Sequence, residues 1–508
     1  GGIMSQVSHE VSFNPRTGAE NGRLPVTAPA AVDAIVDRAA RIADIVANTS
    51  PQVRRDWLEA VATALEEDIE NLIALADRET ALGEVRLRGE ILRTAGQLRF
   101  YGLVGAEGSY LDVTIDSASS SNPELRRMNV PVGPVAVFGA SNFPFAFSVL
   151  GNDTASALAA GCPVVVKAHP AHLLLSARLA ALAADALTRA GAPADVLQLV
   201  IGHEAGVTLV TSDQVAAIGF TGSQSGGLAL WRLANERERV IPVYAEMGTV
   251  NPVVVTPAAC AERIEEIASG FVGSFTLGSG QYCTKPGLLF APAGSGAAAA
   301  VAEALRTSAP HIVMLTQRIS HSVAAGLSAW SEAGASIIAR EESSEPGWSA
   351  PTAVASAPIA ALKPGSALLE EVFGAAALVV EYEHTAELLS AVSQLQPSLT
   401  ASVMTSARDD PDAAVIINHL ARQVGRVSVN DWPTGVVYTW AQHHGGPWPA
   451  TSNAAATSVG AAALARFVRP VAFQSAREEW LPQALQSSNP WRLPVRIDGI
   501  VRHASAGT

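Results

Sequence analysis

Four short apolar runs, each separated from the next by a helix-forming stretch, constrain this chain more than any other feature. They read PVAVFGA (134–140), PVVVKAHP (163–170), VLQLVIG (196–202) and AAIGFTGS (216–223). Such runs are the length of buried strands and rich in β-branched residues. Strands alternating with Ala-rich helices over residues 131–245 predict a parallel sheet covered on both faces, of the dinucleotide-binding kind. The alternation resumes over 288–420 (LLFAPAG, AAAAVAEALRT, SIIAR, AALVVEY), which predicts a second α/β unit. A chain of 508 residues has room for two such cores, and 48% hydrophobic against 16% charged residues fits compact folding.

The remaining segments are less regular. Residues 30–106 carry helical periodicity, with Pro51 and Asp56 as start signals and Gly83 and Gly89 as interruptions. Residues 108–130 read as an extended excursion. The stretch 425–474, rich in Gly, Trp and His, reads as long loops beside a site. The tail PVRIDGIV is strand-like without an obvious neighbour to pair with.

Charge and cysteine content exclude several classes. A formal charge of −13 with no basic run argues against nucleic-acid and anionic-membrane partners. The polar start lacks the basic-then-apolar pattern of a signal peptide, and no uninterrupted apolar stretch is expected to span a bilayer. Three cysteines, Cys162, Cys260 and Cys283, suit a reducing cytoplasm rather than a disulfide framework.

Cys283 differs from the other two. It lies in GSGQYCTKPG (278–287), an irregular segment with Gln281, Thr284 and Lys285 as polar neighbours, whereas Cys162 and Cys260 sit in apolar surroundings. A thiol in such a loop is a candidate nucleophile. Glu246, in VYAEMGTVNPVVV, is a carboxylate among apolar neighbours, the setting of a general base. GxGxxG is absent; the nearest substitute is Gly219-Phe220-Thr221-Gly222-Ser223, a strand running into a helix, where Gly222 and Ser223 could meet a pyrophosphate. Cys283 and Glu246 alone would also permit a cofactor-free cysteine hydrolase. The adjacent His443 and His444 have no Cys, Asp or Glu at ligand spacing along the chain, so no metal site is expected.

NPRTGAE, SNFP, VVKAHP, GFTGS, AEMGTVNP, GQYCTKPG and EEVFG occur in one order and spacing, and through them the chain resembles the aldehyde dehydrogenase superfamily along nearly its whole length. The resemblance implies a Rossmann-type cofactor domain (4–107 and 129–245), a catalytic domain (246–474) and a small oligomerisation arm (108–128 and 475–508), assembled as a homodimer or homotetramer. It implies Cys283 as nucleophile, Glu246 as base for thioester hydrolysis, and the Asn142 amide as oxyanion donor. It places Lys167, Gly222, Ser223, Glu371 and Phe373 against the cofactor. Pro170 stands where many NAD-preferring relatives carry a glutamate, so with Lys167 and His169 nearby NADP is expected and NAD remains possible. AEMGTVNP, GQYCTKPG and GRVSVNDWPTGVVYTWAQHHGGPWPATS look like the branch that oxidises α-ketoglutaric semialdehyde (2,5-dioxopentanoate) to 2-oxoglutarate. A carboxylated small-molecule aldehyde of that kind implies a cation in the tunnel, for which Arg93 is the candidate, with Gln97, Phe143 and Trp448 beside it. Another semialdehyde or a fatty aldehyde is the alternative.

Overall fold

The computed structural model describes residues 8–308, 310 and 312–504. Residues 4–7 of the expected cofactor domain and 505–508 of the expected arm lie outside them.

The alternating runs form two parallel-type sheets. The first has five strands in the order Leu197–Val200, Val164–Lys167, Val135–Phe138, Ala217–Gly222, Val243–Met247, all parallel. The chain starts this sheet in the middle and builds outward on both sides. Its strand order therefore reverses at Val135–Phe138, and ligands of open α/β sheets bind at the carboxyl ends beside such a switch. Asn142 follows Val135–Phe138 within four residues. Lys167 ends the next strand out, and Gly222 and Glu246 lie at the carboxyl ends of the two strands on the other side.

The second sheet has seven strands, with Pro252–Val255, Leu288–Pro292 and Ala376–Tyr382 among its central members and only Ser336–Glu341 antiparallel. Because Val243–Met247 closes the first sheet and Pro252–Val255 lies inside the second, residues 248–251 bridge the two. The site forms at that bridge.

Helices Pro29–Asn48, Pro51–Glu67, Ile69–Thr80 and Glu84–Glu107 fill the expected helical region. Pro51 starts a helix that Ser50 caps by accepting from the Val53 amide; Asp56 is interior. Gly83 interrupts as expected, but Gly89 does not: it sits inside Glu84–Glu107 with no atom within 4 Å of where a Cβ would point. The helix Pro170–Arg189 is long and apolar enough to cross a membrane by length and composition, although Arg178 and Asp185 interrupt its apolar run. Its Leu173, Leu175, Leu179, Ala183, Ala186 and Leu187 are buried in the protein core.

A third sheet joins Val468–Gln474, Leu125–Pro131, Thr114–Asp116, Val495–Ile497 and Ile500–Arg502. The tail thus folds into a hairpin whose first strand pairs with Thr114–Asp116, nearly 400 residues earlier in the chain. Val468–Gln474 belongs to this sheet through seven residue pairs with Leu125–Pro131, although the sequence placed it before the arm boundary at 474.

Candidate active site

Three irregular segments interlock where the two sheets meet. The first, residues 246–251, leaves the strand that carries Glu246. The second, 277–287, joins the helix Pro257–Thr276 to the strand Leu288–Pro292 and carries Cys283. The third, 370–375, carries Glu371 and Phe373 into the strand Ala376–Tyr382.

Their contacts leave little freedom. Asn251, fully buried at φ 56°, donates its side-chain amide to the carbonyls of Cys283 (2.7 Å) and Lys285 (3.0 Å). A Cβ on Gly280 would fall 2.1 Å from the Gly374 carbonyl, so the second and third segments touch backbone to backbone. A Cβ on Gly248 would overlap the Glu371 carboxylate at 2.2 Å, so the first touches the third. Glycine is required at both positions by close approach.

Cys283 opens onto a cavity of about 330 Å³ lined by Arg86, Gly89, Glu90, Arg93, Phe143, Phe147, Tyr282 and Val436 among others. Behind the sulfur lies His444, whose Nε2 is 3.6 Å from Cys283 Sγ and 3.1 Å from a Glu246 carboxylate oxygen. Glu246 is buried, and the alignment with His444 makes no hydrogen bond, so both its oxygens lack a partner. Sulfur, imidazole nitrogen and carboxylate lie within 4.8 Å of one another. The neighbours that His444 lacks along the chain are thus supplied by the fold. Burial, with the Glu246 and Glu371 carboxylates adding to it, pushes the Cys283 thiol well above its usual range. A smaller recess of about 10 Å³, room for about one water, adjoins Glu246 and His444 and is bounded by Tyr244, Thr451, Thr457 and Ser458.

Asn142 is buried; its Nδ2 donates to the Gln281 carbonyl (2.9 Å), two residues before Cys283, and its own carbonyl accepts from Arg86 (2.7 Å). Lys285 does not solvate the thiol as a polar neighbour would. It turns inward, and its Nζ donates to the carbonyls of Val372, Gly374 and Ala376.

Arg93 stands on the cavity wall with Nε and one NH2 group buried and without hydrogen-bond partners. Its guanidinium lies 6.0 Å from the Phe147 ring and 5.6 Å from the Tyr438 ring. Phe143 also lines the cavity. Gln97 does not: it is fully buried one turn further on and donates to the Ala146 carbonyl (3.0 Å), a packing role. Trp448 is away from the cavity as well, half-exposed and edge-on to Trp231 at 5.0 Å.

Around the carboxyl ends of the first sheet, the Lys167 side chain makes no hydrogen bond or ion pair among the described residues, and burial lowers its affinity for the proton. His169 is committed: its Nδ1 accepts from the Ala171 amide (3.0 Å), and burial holds the ring neutral, with His172 and Lys167 adding to the effect. Pro170 opens the same turn. Ser223 follows Gly222 and caps the helix Gln224–Asn235, accepting from Gly226 N at 3.2 Å. Phe373 is half-buried two residues beyond Glu371.

Sequence reasoning missed Arg86, which reaches over the Phe143 ring at 4.7 Å. The signal was present: Arg86, Glu90 and Arg93 fall at i, i+4 and i+7 and share one helix face.

Comparison with known proteins finds similar chains. Residues 4–450 match the model of the aldehyde dehydrogenase family. Alpha-ketoglutaric semialdehyde dehydrogenase 2 of Azospirillum brasilense is 42% identical over 506 residues, covering 96% of this chain and 95% of that protein. Alpha-ketoglutaric semialdehyde dehydrogenase of Acinetobacter baylyi is 39% identical over 464 residues, 89% and 88% of the two chains. The crystal structure of PnpE in complex with nicotinamide adenine dinucleotide superposes with a TM-score of 0.79 at 20% identity, covering 92% of this chain and 94% of that one, a likeness of fold.

Proposed function

The chain belongs to the aldehyde dehydrogenase family, and from that footing we propose that it oxidises α-ketoglutaric semialdehyde to 2-oxoglutarate with NADP, NAD also serving. The observation that carries the substrate is Arg93. Two buried guanidinium nitrogens without partners, on the wall of the cavity that Cys283 shares, are suited to a carboxylate at the far end of a short aldehyde. The names of the two relatives at about 40% identity support the same reading.

The residues present fit a dinucleotide. Gly222 and the Ser223-capped helix offer a strand-to-helix junction for the pyrophosphate. The Glu371 carboxylate, pressed on Gly248, would hold the nicotinamide ribose, with Phe373 alongside. Lys167 would meet the adenosine ribose; with Pro170 in place of a carboxylate nothing there repels a 2′-phosphate, and Lys167, with His169 beside it, favours it. When bound, the nicotinamide supplies the hydride acceptor.

The chain's own residues do the rest. Burial and two carboxylates raise the Cys283 thiol, so attack needs a base to remove its proton. Its proton then leaves through the Glu246–His444 pair to solvent, which returns Glu246 to a carboxylate for the second step, and sulfur attacks the aldehyde carbon. Asn142 Nδ2 and the Cys283 amide N–H steady the oxyanion; one such donor is worth about 3 kcal/mol in the transition state. After oxidation an acyl group remains on Cys283 as a thioester. Glu246, beside a recess with room for about one water, removes the proton from the water that hydrolyses it. The three free cysteines fit a reducing cytoplasm. The third sheet, with Val468–Gln474 at its edge, would join copies into a dimer or a dimer of dimers.

A second reading, an alkyl or longer aldehyde, draws on the apolar part of the same wall: Leu277, Phe143, Phe147 and Val436. One kinetic panel separates the two, with both cofactors against the semialdehyde and hexanal, for the wild type and Arg93→Met. The expected outcome is a preference for the semialdehyde and a rise of about ten- to a hundredfold in its KM in Arg93→Met, the loss of one charge-assisted hydrogen bond. An unchanged KM for the semialdehyde would remove Arg93 from the substrate site.

A further inference from the structure

Lys285 is two residues from the nucleophile, yet nothing in the mechanism above uses it. It is buried, and its ammonium faces the carbonyls of Val372 (2.5 Å), Gly374 (2.9 Å) and Ala376 (2.9 Å). Three acceptors within hydrogen-bond distance need three N–H donors, which only the protonated amine has. Each bond is charge-assisted and inside the protein, where it is stronger than in water.

What these bonds join matters more than their number. Lys285 belongs to the Cys283 segment, whereas Val372 and Gly374 belong to the segment that carries Glu371, and Ala376 opens the strand that follows it. No other side chain among the described residues hydrogen-bonds to those carbonyls. The backbone contact of Gly280 with Gly374 sets how closely the two segments approach, but a contact between glycines fixes distance better than register. Register is set further along, where Leu378 N donates to the Gly287 carbonyl (2.9 Å) and Leu288–Pro292 pairs with Ala376–Tyr382; the ammonium carries it back to Val372 and Gly374, ahead of the strand, because one nitrogen addresses carbonyls on alternate residues. From the other side, Asn251 holds the Lys285 carbonyl at 3.0 Å, so the stem of the lysine is anchored too.

We propose that Lys285 is a positioning residue that locks the Glu371 segment to the Cys283 segment, setting where the nicotinamide end of the cofactor lies relative to the sulfur. The inference rests on the reading of Glu371 as the nicotinamide-ribose ligand. Glu371 and Lys285 also share an electrostatic field: burial raises the Glu371 carboxyl while the nearby ammonium opposes that rise. Removing the lysine therefore disturbs both the position and the charge of Glu371.

The test compares wild type, Lys285→Met, Lys285→Gln and Glu371→Gln. NADPH binding is followed by its fluorescence, and cofactor-free hydrolysis of p-nitrophenyl acetate reports the Cys283 and Glu246 chemistry in the same preparation. The expected result is that NADPH binding by both Lys285 variants weakens about tenfold more than their ester hydrolysis falls, with KM rising for cofactor rather than for aldehyde. Equal losses in both readouts, or NADPH binding as tight as in wild type, would overturn the proposal. Hydrogen exchange on the wild-type enzyme needs no variant. Residues 281–287 and 371–376 are expected to gain protection together on adding NADPH, and protection of 371–376 alone would refute the lock. Normal NADPH binding by Glu371→Gln would instead count against the reading of Glu371, leaving the joint protection of the two segments to decide on Lys285.

Discussion

The side chain of Asn251 holds the backbone of Cys283 in place, its amide donating to the Cys283 carbonyl at 2.7 Å from a residue in the left-handed region at φ 56°. A non-glycine residue there costs about 1–2 kcal/mol of strain, tolerated here because the amide also serves Lys285 and the Asn251 Oδ1 accepts from Thr249 (2.7 Å).

Asn251→Ala and Asn251→Gly separate the two contributions. Alanine keeps the strain and leaves two buried carbonyls unpaired, a loss of about 1–3 kcal/mol each. Glycine relieves the strain but not the unpaired carbonyls. Thermal unfolding is expected to rank wild type above Gly above Ala, while turnover falls in both. Wild-type turnover in Asn251→Gly would show that the amide does not position Cys283.

The second prediction concerns pH. Because burial, Glu246 and Glu371 all raise the Cys283 thiol, its alkylation by iodoacetamide is expected to climb about tenfold per pH unit past about 8.5, where an ordinary thiol levels off. Neutralising a carboxylate removes part of that cause, so Glu371→Gln moves the inflection to lower pH. His444→Phe removes the nitrogen 3.6 Å from the sulfur and is expected to slow alkylation at pH 8 by about tenfold or more. A profile that levels near 8.5 in the wild type contradicts the electrostatics described above.

Gly89 lines the cavity from inside a helix, with open space where a Cβ would be. Replacing an interior helical glycine by leucine favours the helix by roughly 0.5–1 kcal/mol. The same side chain would fill the entrance to Cys283. Gly89→Leu is therefore expected to raise the melting temperature and lower kcat/KM for every aldehyde, with ester hydrolysis falling in parallel. A loss confined to cofactor affinity would place Gly89 elsewhere.

These residues differ in how far the sequence exposes them. Cys283, Glu246 and Asn142 lie in short segments whose glycines and prolines already mark irregular backbone, and the carboxyl ends of predicted strands indicate where such segments meet. Arg93 was reached through the family resemblance, which implies a cation for a carboxylated aldehyde; its neighbour Arg86 lies on the same helix face and was passed over. Gln97 falls on the same helix, but one turn along that face the backbone of Ala146 takes the place of the cavity. Trp448 could not be placed because its loop has no periodicity and its partner, Trp231, is more than 200 residues away. Lys285 is the extreme case. A lysine beside a reactive thiol reads as a polar neighbour until the chain returns nearly 90 residues later with three carbonyls. The terminal strand near 495 found its partner only through a pairing with residues 114–115.

The most direct measurement is mass spectrometry of Glu246→Gln mixed with NADP and α-ketoglutaric semialdehyde, quenched in acid and digested. Without the carboxylate that activates water, the acyl-enzyme should accumulate, and the peptide carrying Cys283 should gain the mass of 2-oxoglutarate less one water, alongside one equivalent of NADPH. Reduced cofactor released with no adduct on that peptide, or an adduct on Cys162 or Cys260, would contradict covalent catalysis at Cys283.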